Sequence, residues 1–313
     1  AYFDAEESQL EFQKAINSLP EKQRIVFNLK YFQEMKYEEI SEIVGTSVGG
    51  NAVLKLPKAG TWSLLAELNG QTTEDSIVIV DDYPVEVSFV LPLSSLAVGA
   101  LVRVKESSAD VNYRVVHQGL PSSLYDSSCN GTWVLRDPIH SKRTWDSTNN
   151  DYENSDIHTY LNGTYLDLFD ANTRSIIKQV KIPYQKGTGS GGSIASGSNG
   201  LSTKIFLLSG YEVGWTTSNS SRLPVDGACL SYFSGTSEVD PKRISYYEGT
   251  ATNWWLRSVY TNNTGYAWFV YYDGDCSGSG SSVSFGVRPA MILDSTAMVS
   301  GSPNADGSYT LMV

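Results

Sequence analysis

Apolar positions change their period twice along the chain, and the changes mark three segments. Over residues 1–48 they recur at helical spacing: Phe12, Ala15 and Ile16, then Ile25, Val26, Leu29 and Phe32, then Ile40, Ile43 and Val44. Between the first two groups, Ser18-Leu-Pro-Glu21 supplies a capping Ser, a Pro in the first turn and an acidic residue three positions on. Over residues 51–93 the pattern shortens to strand-like runs: AVLKL (52–56), TWSLLAEL (61–68), SIVIV (76–80) and VEVSFVL (85–91). Asn69-Gly70 predicts a hairpin between the second and third runs, with the polar QTTED extending its loop beyond two residues. So few strands leave an apolar face open, and this module must pack on something.

Residues 94–313 form the main domain. LVRVKE (101–106) and YRVVHQGL (113–120) read as strands and precede CNGTWVL (129–135), and KIFLLS (204–209) reads as a later strand. Ser155 can cap a helix carrying Ile157, Tyr160, Leu161, Tyr165 and Leu168, and Asp170 a second carrying Ile176, Ile177 and Val180. Two helices with short strands and long loops predict an α+β fold. The glycine run GTGSGGSIASGSNG (187–200) lacks the Gly-Lys-Ser/Thr ending of a P-loop, and no helix follows to face an anion. It reads as a flexible loop.

Composition is most biased near the C-terminus. Residues 259–285 hold seven aromatic residues but no Lys, Arg, Glu, Gln or Met, and their charges are Asp273 and Asp275 alone. A solvated spacer would be poor in aromatics. Tyr mixed with Ser, Gly and Asn is the composition of a paratope, in which rigid rings give contact area and small polar residues adapt. Asp273-Gly-Asp275 reads as a turn in preference to a calcium site.

The whole chain narrows the function further. Its 313 residues are 41% hydrophobic, enough for a sizeable core in more than one domain. A net charge of -11 disfavours nucleic-acid partners, and no apolar run approaches the roughly 18 residues of a membrane span. No signal-peptide pattern opens the chain at Ala1. Three scattered cysteines predict neither a disulfide framework nor a metal site, leaving a single Cys129–Cys229 bridge open. His117, His140 and His158 are too dispersed for a metal cluster, so neither metal nor cofactor is expected. Glycosylation sequons begin at Asn130, Asn162, Asn219 and Asn262. Serine-hydrolase elbows, His-Glu-x-x-His helices and EF-hand loops are missing, and no catalytic residues are assigned.

Three resemblances add to this reading. The stretch AINSLPEKQRIVFNLKYFQEMKYEEISEIVGTSVG resembles region 4 of extracytoplasmic-function sigma factors, a helix-turn-helix that reads promoter DNA. The likeness stops where the recognition helix would follow, at Gly49-Gly50-Asn51, and the segment is more acidic than basic, so DNA binding is not expected of it. Residues 51–93 look like the C-terminal half of Ig-like modules found in surface and virion proteins. The blocks DYENSDIHTYLN (151–162), KIFLLSGYEVGW (204–215), PVDGACLSYF (224–233), ATNWWLRS (251–258) and FGVRPAMIL (285–293) resemble C-type-lectin-fold domains, distantly similar to formylglycine-generating enzymes.

A subset of those domains are the variable proteins of diversity-generating retroelements, in which an error-prone reverse transcriptase turns AAY codons of a C-terminal cassette into NNY. Such codons never encode Lys, Glu, Gln, Met or Trp, and residues 259–285 lack all of these except Trp268. The resemblance therefore implies a fixed frame and a replaceable surface. In the frame fall Trp254, Trp255, Arg257, Trp268 and Arg288, with Ala267, Val270, Gly274 and Val283. The ligand-binding surface comprises Tyr260, Asn262, Asn263, Gly265, Tyr266, Phe269, Tyr271, Tyr272, Asp273, Asp275, Ser277, Ser279, Ser282 and Ser284, with Tyr266, Phe269, Tyr271 and Tyr272 as aromatic anchors. The implied partner is a protein or glycan on a target cell, and the implied location a virion or bacterial surface. Alternatives are a fixed structural or adhesion domain of the same fold and, further off, a formylglycine-generating oxidase, for which the cysteines are badly placed.

Overall fold

The structure, a computed structural model, describes residues 90–313 in full and, before them, the strand courses of residues 47–48, 51–54, 60–68, 71–79 and 85–88. Most of the helical reading of residues 1–48 lies outside the described residues. Its last two, Ser47–Val48, are a strand paired with Ala52 and Asn51. Packing divides the chain into two units, Ala1–Leu91 with Ser300–Asp306, and Pro92–Val299 with Gly307–Val313.

In the first unit, Asn51–Leu54 lies between Ser47–Val48 and Val85–Ser88 in an antiparallel sheet. Gly60–Leu68 pairs with Gln71–Ile79 along its whole length, and Leu68 stands opposite Gln71. QTTED is therefore strand and not loop. Its polar residues do not oppose this, because strand preference depends on fitting a pleated surface and Thr fits well.

The second unit is mostly β, with mixed sheets and a few short helices. Its larger sheet runs Ile205–Phe206, Ala290–Leu293, Gly131–Arg136, Ala109–Gly119, Leu101–Glu106, Ser308–Met312, Met298–Ser300 from one edge inward. Leu101–Glu106 alternates as its sequence predicts, with Val102 and Val104 buried. KIFLLS contributes only Ile205–Phe206 as strand. A five-stranded sheet follows the order Ser141–Thr144, Ser284–Val287, Trp254–Val259, Tyr266–Val270, Cys276–Gly280. Trp254–Val259 is parallel to Ser284–Val287, with Trp254 opposite Gly286, so the motifs that flank the biased stretch share a sheet.

Both predicted helix caps form. Ser155 Oγ accepts from the His158 amide at 3.2 Å, and Asp170 Oδ1 from the Thr173 amide at 2.7 Å. The helices are short, Asp156–Tyr160 continuing into a π turn and Ala171–Ile176 ending before Val180, which begins a strand. Neither is long and apolar enough to cross a membrane. The glycine run is no free loop. Ser193–Ala195 pairs with Tyr184–Lys186, and Leu201–Thr203 with Val180–Ile182.

Candidate functional site

The frame around the stretch is built from fully buried polar and aromatic side chains. Trp254 and Trp255 both lie in the core, where Trp254 Nε1 donates to the Arg243 carbonyl at 2.9 Å and Trp255 Nε1 to the Arg143 carbonyl at 3.0 Å. Trp145 Nε1 holds the same strand by donating to the Leu256 carbonyl at 2.9 Å. Satisfying each indole this way fixes where the strand sits.

Arg257 is clamped from several directions. Its guanidinium donates to both Glu212 oxygens, at 2.5 and 2.6 Å, and to the carbonyls of Leu207, Asp226 and Pro183. Although burial opposes its charge, Glu212 holds the Arg257 pKa well above its ordinary value. Glu212 also accepts from Tyr125 Oη at 2.7 Å and from the Ser209 amide at 2.9 Å. Beside them Ser258 Oγ donates to the Asp226 carboxyl at 2.9 Å. One guanidinium thus faces two buried acids, and burial pushes the Asp226 pKa up to about 7.

That proton makes a test. A folded state that keeps it up to about pH 7, against an unfolded Asp near 3.8, gains stability below the lower value and loses it as pH rises through the upper. His117, His140 and His158, held by burial below their ordinary value, act in the opposite sense as pH falls. The readout is therefore a difference: between pH 5.5 and 8, Asp226→Asn should lose less thermal stability, or gain more, than the wild type. Parallel melting profiles would mean that Asp226 is already ionised.

Arg288, at the other end, is buried over the Trp254 ring at 5.1 Å and donates through Nε to the Arg136 carbonyl at 2.8 Å. Burial lowers its pKa to about 10. A third buried guanidinium, Arg243, gives its donors to the carbonyls of Val213, Ser237, Glu238 and Gly274 and to Thr236 Oγ1.

Between these anchors the stretch folds as a hairpin, Tyr266–Val270 against Cys276–Gly280, preceded by a loop over residues 260–265. Buried Asn150 holds that loop, donating to the Asn263 carbonyl at 3.0 Å and the Tyr266 carbonyl at 2.6 Å. Its own amide donates to the Thr264 carbonyl, and its Oδ1 accepts from Gly189. The glycine run supports the loop from below. A Cβ on Gly189 would stand 2.1 Å from the Tyr260 carbonyl oxygen, too close for any other residue. At the hairpin turn Gly274 has φ +92° and lies against the Asp240 main chain, so a side chain there would be strained and obstructed.

The side chains divide by face. Tyr260 stacks on Trp268 at 5.3 Å and meets Tyr266 edge-on at 6.0 Å. These rings line a depression of about 390 Å³, with Asn263, Asp275 and Ser277 from the stretch and Trp215, Asn219, Ser220 and Glu238 from preceding loops. Trp215 Nε1 is buried there without an acceptor. Tyr266 and Tyr272 are 45% and 57% exposed, and Asn262, Asp273, Ser282 and Ser284 are exposed as well. Gly265, Tyr271 and Ser279 are half-buried.

Two expectations are corrected. Phe269, taken as an exposed anchor, is 3% exposed, packed on Phe285 at 4.5 Å and Tyr271 at 4.7 Å, and stands opposite Trp255. It faces away from Trp268 because neighbours on a strand alternate. Val283, assigned to the frame, is 40% exposed. The cysteines form no bridge: Cys129 and Cys276 are buried and free, and Cys229 is free at the surface. Among the described residues no His, Cys, Asp and Glu group could hold a metal.

The comparisons with known proteins bear on two parts of the chain. The family model described as a domain of unknown function (DUF6273) matches residues 130–295, more than half of the chain, and the chain belongs to that family. Residues 9–50 match Sigma-70, region 4, in agreement with the N-terminal resemblance. No curated protein and no solved structure matches the chain.

Proposed function

We propose that this is a non-enzymatic display protein, in which a C-type-lectin-type scaffold presents residues 259–285 as a replaceable surface for a protein or glycan on a target cell. The carrying observation is the contrast between the buried ends and the open middle. Trp254, Trp255, Arg257 and Arg288 are buried and bonded, while Tyr266, Tyr272 and the depression face solvent between them. The codon reading adds support in part, since Ala267, Trp268, Val270 and Gly274 of its frame are buried, while Val283 of the frame is exposed and Phe269 of the replaceable set is buried. A virion or bacterial surface, and no nucleic-acid or membrane partner, suit this role. An oxidase of the formylglycine-generating kind is disfavoured by the thiols, because burial pushes those of Cys129 and Cys276 up to about 12, far from the thiolate such chemistry needs.

The test is tolerance. NNY-encoded replacements at Tyr266, Tyr272, Asp273, Ser282 and Ser284 should each move the melting temperature by less than about 2 °C, as surface changes do. The same replacements at Trp268, Val270 and Gly274 should move it several times further. Equal losses at both sets would favour a fixed structural domain. A reverse transcriptase gene nearby, with a near-copy of the cassette carrying AAY at the tolerant positions, is the matching genomic arrangement.

A further inference from the structure

We infer that the depression beside Tyr260 and Tyr266 accepts an organic cation, the guanidinium or alkylammonium group of a basic side chain on a protein partner. This assignment rests on the reading of residues 259–285 as a binding surface and gives that surface a ligand chemistry. The lining combines aromatic rings, Trp215, Tyr260, Tyr266 and Trp268, with the carboxylates Glu238 and Asp275, and includes no Lys, Arg or His. Ring faces carry partial negative charge and attract cations, most of all where carboxylates share the site.

The carboxylates are available for this. Neither Glu238 nor Asp275 takes part in an ion pair with a described residue. Asp275 Oδ1 accepts from the Cys276 amide, which leaves Oδ2 without a protein donor. Two cations lie nearby. Arg243, 5.5 Å from the Trp215 ring centre, spends its donors on four carbonyls and Thr236, and Arg222 donates to the Thr261 carbonyl at 3.2 Å. Neither lines the depression, so no fixed cation fills it. An anionic ligand could take the unpaired Trp215 Nε1 donor but would meet two carboxylates and no cation in the lining. The chain's net charge of -11 adds long-range attraction for a basic partner.

The experiment titrates the full chain with N-acetylarginine methylamide, N-acetyllysine methylamide, tetramethylammonium and a neutral methyl glycoside, followed by NMR or calorimetry. Wild type should bind the two amino-acid amides more tightly than the glycoside, with affinity falling as salt rises. The double variant Glu238→Gln, Asp275→Asn should weaken that binding about tenfold at an unchanged melting temperature. Tetramethylammonium binding better than both amides would point to a quaternary-ammonium headgroup and overturn the protein side-chain assignment. Glycoside binding without cation binding, or cation binding untouched in the double variant, overturns the cation site itself. Failure here with the tolerance series intact leaves the display reading standing. Success here with intolerance at the surface positions makes the depression a fixed cation site.

Discussion

Replacing Glu212 by Ala should lower the unfolding free energy by about 3–5 kcal/mol, the loss seen when one partner of a buried ion pair is removed. Arg257 would stay buried without the carboxylate that accepts from it at 2.5 and 2.6 Å. Urea unfolding followed by tryptophan fluorescence reads this as a lower midpoint at an unchanged slope. Asp226 gives the prediction a second edge. Glu212 is one of the groups raising its pKa, so removing Glu212 favours ionisation of Asp226 as a substitute counter-charge. The loss should therefore be smaller at pH 8 than at pH 5.5. A loss below 1 kcal/mol at both would mean that carbonyls alone suffice to hold Arg257.

Arg243→Met should cost about 3 kcal/mol and act on the depression directly. The guanidinium joins Glu238, on one rim, to Gly274, in the hairpin turn, through their carbonyls. Without it the loop over residues 236–238 and the turn over 271–275 lose their common tie, and a buried acceptor left unpaired costs 1–3 kcal/mol as an order of magnitude. Amide exchange in both segments should quicken well beyond the rest of the unit. Arg243→Lys should recover less than half of the loss, because an ammonium cannot spread its donors over a planar fork. Exchange confined to one segment would show that the other is held independently.

The parts of this architecture that the sequence made legible are those written in local chemistry. Ser155 and Asp170 announce their helices because a cap needs only its own neighbours, and Leu101–Glu106 announces its strand by alternation. NWWLRS stands out as a dense motif, and Trp254, Trp255 and Arg257 within it are all buried. The partners were not. Glu212 lies 45 residues before Arg257 within KIFLLSGYEVGW, and no periodicity connects them. Arg243 left no sign at all, since main-chain carbonyls as acceptors have no residue signature. Phe269 was misplaced because Tyr266–Val270 is apolar on both faces, which hides the phase of its alternation. The helix after Ser155 keeps a helical course to Leu168 by widening to a π turn over Leu161–Tyr165 and tightening over Leu166–Leu168, whereas the one after Asp170 stops at Ile176 although the apolar spacing runs on to Val180, which extends into a strand.

Asn150 grips the loop by its carbonyl oxygens at Thr264, Asn263 and Tyr266, and the Ser281 amide likewise donates to the Gly265 carbonyl. Every residue type carries those atoms. The clamp therefore reads main chain and not side chains at these three positions, whereas Asn262, at φ +63°, is held to the few residue types that tolerate a left-handed backbone.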